Sequence, residues 1–193
     1  MKIIRLITIA TIVTLSSLFA ETSPLTKLET SAASGNAMAQ FELGRAYFRG
    51  DGLDTDKAKA HAWILKSAEQ GNPDAITTMG YFYFQGIVLE KDEAKAIEWF
   101  RKGAEAGSVK SQLNLGLMLR QSKTIPLNNT ESLKWLEMAA STGDPDAVRT
   151  YGQLLFLGDS LIMPDRKKAF PFVLKSAEAG DASSQNMVGV AYR

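Results

Sequence analysis

Apolar residues recur at every fourth position in two stretches of the chain, Ala39, Leu43 and Tyr47, then Ala75, Met79 and Tyr83. That spacing lays one stripe along an α-helix. The two stripes stand 36 residues apart, and the same step organises nearly everything after residue 35. Gly44, Gly80, Gly116 and Gly152 keep it, and Gly189 follows after 37, so one residue is inserted in the fourth copy. Trp63, Trp99, Trp135 and Phe172 recur with it. So do Ala68, Ala104, Ala140 and Ala177, and the junctions Gly71-Asn72, Gly107-Ser108, Gly143-Asp144 and Gly180-Asp181. A self-similar period of this length marks a solenoid, in which each unit buries its apolar face against its neighbours.

Each unit reads as two helices. Asn36, Asn72, Ser108, Asp144 and Asp181 share one register position, and each can accept a hydrogen bond from free amides at a helix start. Pro73 and Pro145 follow directly, where a missing N–H costs nothing. Gly50, Gly86 and Gly158 are placed to end the first helix in a left-handed conformation, and Ser122 replaces that glycine in the third unit. Asp56, Asp92, Asn128 and Asp165 then cap the second helix, after Leu53, Leu89, Ile125 and Ile162, which can hold the loop on the core. The Gly44 series falls inside the first helix, where glycine costs about 1 kcal/mol relative to alanine. The expected reason is close approach to the small Ala60, Ala96, Ser132 and Ala169 of the second helix. The tryptophan series is read as core packing, and Pro171, inside the fourth second helix, is expected to bend or fray it.

The predicted organisation is a signal peptide over 1–20, a capping helix over 21–35 and a repeat domain over 36–193. Its units are 36–71, 72–107, 108–143 and 144–180, with a half unit 181–193. In the cap, Leu28 and Ala32 stand where Ile64 and Ala68 stand in the first unit. Lys2 and Arg5 precede the apolar run from Leu6 to Leu18, and Ala20 offers a cleavage point, so export to the periplasm is expected; the alternative is an uncleaved amino-terminal anchor. The chain is 45% hydrophobic and 22% charged, the balance of a folded protein. Removing residues 1–20 takes two of the 22 basic residues and none of the 21 acidic ones. Near neutrality gives no argument for nucleic acid or an anionic membrane surface.

Ala37, Ala39, Gln40, Leu43, Gly44, Tyr47 and Gly50, followed by Lys59, Ala60, Trp63, Lys66, Ala68, Glu69 and Gly71, resemble the Sel-1-like repeat, a cousin of the tetratricopeptide repeat. The pattern returns at Leu115, Gly116, Trp135 and Ala140 and at Gly152, Ala169, Lys175, Ala177, Glu178 and Gly180, and it covers about residues 34–193. The resemblance implies an all-α fold, a right-handed α/α superhelix of antiparallel helix pairs. It implies scaffold or adaptor work through protein–protein contacts, often in bacterial envelopes, and no single chemistry; no enzyme activity is expected of this chain. Some cysteine-rich bacterial members of the family are associated with penicillin binding; this chain has no cysteine, and that activity is not carried over.

Candidate chemistry is sparse. His61 is the only histidine, and with no cysteine the usual zinc sites cannot be built. No metal and no cofactor is expected. The acids Asp51, Asp54 and Asp56, and Glu90, Asp92 and Glu93, stand where second helices begin, and capping explains them. The competing reading is a weak hydrolase or small-ligand binder with a pocket between units and Glu42, His61 or Asp92 as base. What varies from copy to copy is the face that the family geometry would make concave. Its columns are Phe41, Thr77, Leu113 and Arg149, then Arg45, Tyr81, Leu117 and Gln153, then Arg49, Gln85, Gln121 and Leu157. Arg and Tyr among apolar neighbours have the composition of a binding hot spot, so a protein or peptide segment is the expected partner. Val188, Val190 and Tyr192 are further candidates for self-association.

Overall fold

The structure is a computed structural model, and it describes residues 23–122, 126, 128–160 and 162–192. The expected signal peptide, residues 1–20, and Ile125 lie outside the described residues. Among those described, the chain is all-helical, with ten helices. They are α1 (Pro24–Ala33), α2 (Ala37–Arg49), α3 (Lys57–Glu69), α4 (Pro73–Gln85), α5 (Glu93–Glu105), α6 (Val109–Gln121), α7 (Asn129–Ser141), α8 (Pro145–Leu157), α9 (Arg166–Glu178) and α10 (Ala182–Ala191). The chain divides into two compact units, Met1–Ala75 and Ile76–Arg193.

The nine helix starts from α2 to α10 are held as the sequence predicts, and α1 is capped by Ser23. Asn36, Asp56, Asp92, Ser108, Asn128, Asp144, Asp165 and Asp181 each accept a hydrogen bond from the amide three residues on. Asn72 accepts from the amides of Asp74 and Ala75. Those amides hold the Asp56 and Asp92 carboxyls below the usual range, chiefly through the N–H of Lys59 and of Lys95. The second helices end in glycine: Gly71, Gly107, Gly143 and Gly180 have φ of 86°, 86°, 87° and 97°. The following amide turns back, as Asn72 N–H does to Ser67 O at 3.2 Å. A second recurring bond closes each helix pair. The amides of Asp56, Asp92, Asn128 and Asp165 donate to the carbonyls of Tyr47, Tyr83, Leu119 and Leu155, at 2.9, 2.9, 2.9 and 2.8 Å.

In the first unit Ala32 of α1 packs with Ala39 and Leu43 of α2, and Leu28, Tyr47, Leu53 and Trp63 close around them. In the second unit one cluster gathers Ala96, Phe100, Leu115, Leu119 and Trp135, and another gathers Leu136, Val148, Tyr151, Leu155, Val173 and Met187. The tryptophan series is only partly the core that its regularity suggests. Trp135 is buried, but Trp63, Trp99 and Phe172 are half-buried. The deepest position is the next residue, Ile64, Phe100, Leu136 and Val173, each at most 1% exposed. The indoles shield the edge of the seam instead. Lys66 and Lys102 lie over them, 4.3 and 4.6 Å from the ring centroids of Trp63 and Trp99.

The same shift corrects the reason for the helical glycines. A Cβ on Gly44 would stand 2.5 Å from Ile64 Cγ1, on Gly80 2.6 Å from Phe100 Cε1, and on Gly116 2.6 Å from Leu136 Cγ. Close approach to the second helix is real, but the first atoms met belong to large side chains. The small residues come second, with Ala60 O at 3.0 Å from the Gly44 position. The expected glycine stop at 158 changes, and the fraying expected at Pro171 is not seen. Gly158 has φ 64° but ψ −170°, so it ends α8 in an extended turn and not in the left-handed helical region. Pro171 sits within α9, which still spans Arg166–Glu178; the proline is exposed, where water can serve the carbonyl it leaves unpaired.

Among the described residues three ion pairs tie successive units within the second body, one of them Lys168 with Glu137 at 2.9 Å. Arg120, with its side chain 4% exposed, pairs with Asp159 of the α8–α9 loop. Glu131 of α7 accepts from the Arg101 guanidinium and, at 3.2 Å, from Trp135 Nε1. Arg101, foremost, holds the Glu131 carboxyl below the ordinary glutamate pKa of 4.5. The unfolded chain therefore binds this proton more readily than the folded one. The pair's stabilisation is present above that value and is lost as pH falls through the lower folded-state pKa. A Glu131→Gln variant is expected to lose stability at neutral pH and to show a flatter fall in thermal midpoint below pH 4.5. Parallel slopes for the two proteins would contradict the assignment.

Candidate partner-binding site

The three columns of variable first-helix positions differ in depth. Phe41 and Thr77 are 7% and 4% exposed, which corrects their placement on an outward face. Thr77 shows why. Its hydroxyl bonds to those of Ser108 and Ser111 at 3.0 and 2.7 Å, so at Thr77 the column is the seam between α4 and α6. Leu113, in the same column, is half-buried against the core around Val148 and Tyr151. Arg149 alone in that column is exposed, with Asp146 at 2.6 Å beside it. The second column is half-buried throughout. Arg45 pairs with Glu42 at 2.9 Å, Tyr81 accepts from Asn114 Nδ2 at 2.7 Å, Leu117 flanks the core, and Gln153 donates to Asp181 at 3.1 Å. The third column, with Arg49, Gln85, Gln121 and Leu157, is the exposed one.

Three clefts collect these residues. In the first unit Arg45, Arg49 and Glu42 line a cleft of about 330 Å³ floored by Leu25, Leu28 and Ala46. At the far end of the second unit Arg149, Lys175 and Asp181 line one of about 430 Å³. Between them in the sequence, the last turns of α4 and α6 and the start of α5 enclose about 310 Å³, lined by Phe84, Glu93, Asn114, Leu117, Met118, Gln121 and Ser122. Phe84 is 38% exposed, an unusual position for a phenylalanine at a helix end. Asn114 is fixed there, since its amide donates both to Tyr81 Oη and to Lys110 O at 2.7 Å. The sequence reading missed Phe84 and Asn114. Phe84 shares a register with Phe48, Arg120 and Phe156, and three aromatics in one column give no sign that one of them is open to solvent.

The competing bases are otherwise engaged. Glu42 is ion-paired with Arg45, and Asp92 caps α5 and pairs with Lys95 at 3.3 Å. His61 is half-buried on α3, and burial lowers its pKa. Among the described residues no group of three or more His, Asp or Glu side chains is placed to hold a metal ion. None of the helices described is long and apolar enough to cross a membrane. On α10, Val188 is half-buried, while Val190 and Tyr192 are 53% and 76% exposed; Tyr192 meets Phe170 edge to face at 5.8 Å.

Four consecutive segments, residues 37–72, 73–108, 109–144 and 145–181, match the Sel1 repeat. The chain belongs to the Sel1 repeat family. Sel1 repeat proteins generally mediate protein–protein interaction, are typically non-catalytic scaffolds, and are often bacterial and extracytoplasmic. A protective antigen of uropathogenic Escherichia coli with an SLR fold is 34% identical over 89% of this chain, with a TM-score of 0.82. A Sel1 repeat protein of Oxalobacter formigenes is 30% identical over 86%, with a TM-score of 0.75. The chain spans 36% of the first structure and 67% of the second. Cysteine-rich protein B of Helicobacter pylori shares the fold at 20% identity, over 67% of this chain and 98% of that one, with a TM-score of 0.52. No curated protein matches the chain in sequence.

Proposed function

We propose that this Sel1 repeat chain is a non-catalytic adaptor of the bacterial cell envelope, exported by its first 20 residues, that captures a segment of a protein partner on the exposed columns of its first helices. The observation that carries this reading is the cleft over Phe84. A large apolar side chain stands open to solvent there, beside Leu117 and Met118 and ringed by the polar Asn114, Gln121 and Ser122. An apolar floor with a polar rim is how protein contacts are built. Arg45 and Arg49, which share a cleft in the first unit, and Arg149, which lines another in the second, are the other contact residues. Tyr81 acts through Asn114, and Gln85 stands exposed one residue past Phe84.

A photoreactive residue in place of Gln85 or Gln121 is expected to crosslink one envelope protein. The same residue in place of Glu98, exposed on a second helix, is expected not to. Leu117→Arg should cut the adduct about tenfold while leaving the helical circular dichroism unchanged. Equal adduct from position 98, or an undiminished yield in Leu117→Arg, would remove the assignment.

A further inference from the structure

The chemistry of the Phe84 cleft specifies more than an apolar contact. We propose that it takes a lysine or arginine side chain of the partner segment, an inference that rests on reading this cleft as the partner site. Its rim is rich in acceptors. Both hydrogens of the Asn114 amide are committed, to Tyr81 and Lys110, so Oδ1 is what the side chain has left to offer. Ser122 gives its hydroxyl hydrogen to Glu93 Oε2 at 3.0 Å. Among the described residues that line the cleft, Glu93 carries the charge, and its carboxylate accepts only.

The field of the backbone has the same sign. Phe84 stands in the last turn of α4 and Met118 to Gln121 in the last turn of α6. Helix C-termini carry partial negative charge and favour cations. Glu93 opens α5 and offsets the opposite charge of that helix's N-terminus. Next to it in the sequence, the Lys95 ammonium is paired with Asp92 at 3.3 Å. The floor suits the stem of such a side chain. Leu117 and Met118 can cover its methylenes, and the Phe84 ring can meet its head. That ring already attracts a cation, since Lys91 Nζ lies 5.6 Å from its centroid.

The test titrates the purified chain with Ac-Gly-Arg-Gly-NH2, Ac-Gly-Leu-Gly-NH2 and Ac-Gly-Glu-Gly-NH2, following backbone amide shifts by NMR. The arginine peptide is expected to move Phe84, Asn114, Leu117 and Gln121 at least tenfold more tightly than the other two. Glu93→Gln should weaken it about tenfold with the remaining spectrum intact. Equal binding of the leucine peptide, or no effect of Glu93→Gln, overturns the basic-residue specificity and leaves the adaptor reading standing. Shifts confined to other clefts, together with an undiminished crosslink in Leu117→Arg, defeat both.

Discussion

Phe100→Ala is expected to lower stability by about 3–5 kcal/mol, while Trp99→Ala, removing the larger ring next to it, should cost well under half as much. Phe100 is 1% exposed and meets Tyr81 edge to face at 5.3 Å. Gly80 lies directly over it and has no side chain with which to fill the void. Trp99 is half-buried, and Lys102 covers one face of its ring. Truncating it opens a surface and not a cavity. Urea unfolding followed by circular dichroism reads both changes, and the ordering is the test. A larger loss for Trp99→Ala would restore the tryptophans as the centre of the fold.

The second large effect concerns the glycines. Alanine at a helix interior normally gains about 1 kcal/mol over glycine. Gly80→Ala should instead lose about 1–3 kcal/mol, because the new methyl meets Phe100 ring atoms at 2.6 to 2.9 Å in a closed core. Gly152→Ala should behave likewise, since its nearest atoms include the Val173 amide nitrogen at 3.1 Å, which no rotamer can move. Gly189 is the internal control. It holds the same register, yet nothing lies within 4 Å of its missing Cβ, so Gly189→Ala should be neutral or mildly stabilising. Pairing Gly80→Ala with Phe100→Ala should cost less than the sum of the two changes, as the methyl enters the space that the ring vacates. Strict additivity would show that the two positions do not touch.

Much of this fold was legible because repetition averages out local ambiguity. A single Asn, Asp or Ser before an apolar run is a weak sign of a helix start, but nine such residues in two fixed registers are not, and each caps as expected. Depth was harder to read. The sequence could not tell Trp99 from Phe100, since adjacent residues on a helix differ by about a quarter turn and both are aromatic. Nor could it tell an outward column from a seam. Phe41 and Thr77 vary between copies as contact residues do, but Thr77 varies because a hydroxyl trio satisfies that seam as well as apolar packing would. The cleft itself was half visible: Leu117 and Gln121 were picked out, while Phe84 was hidden by aromatic neighbours in its register.

The amide-to-carbonyl bonds that shut each helix pair bear on how such a protein can change. Tyr47 with Asp56, Tyr83 with Asp92 and Leu119 with Asn128 span the same number of residues, while Leu155 with Asp165 spans one more and closes equally well. A buckle fastened at both ends leaves the ribbon between it free to lengthen. The single extra residue of the fourth copy sits on that ribbon, so new recognition loops can be spliced in at four places without disturbing the stack beneath.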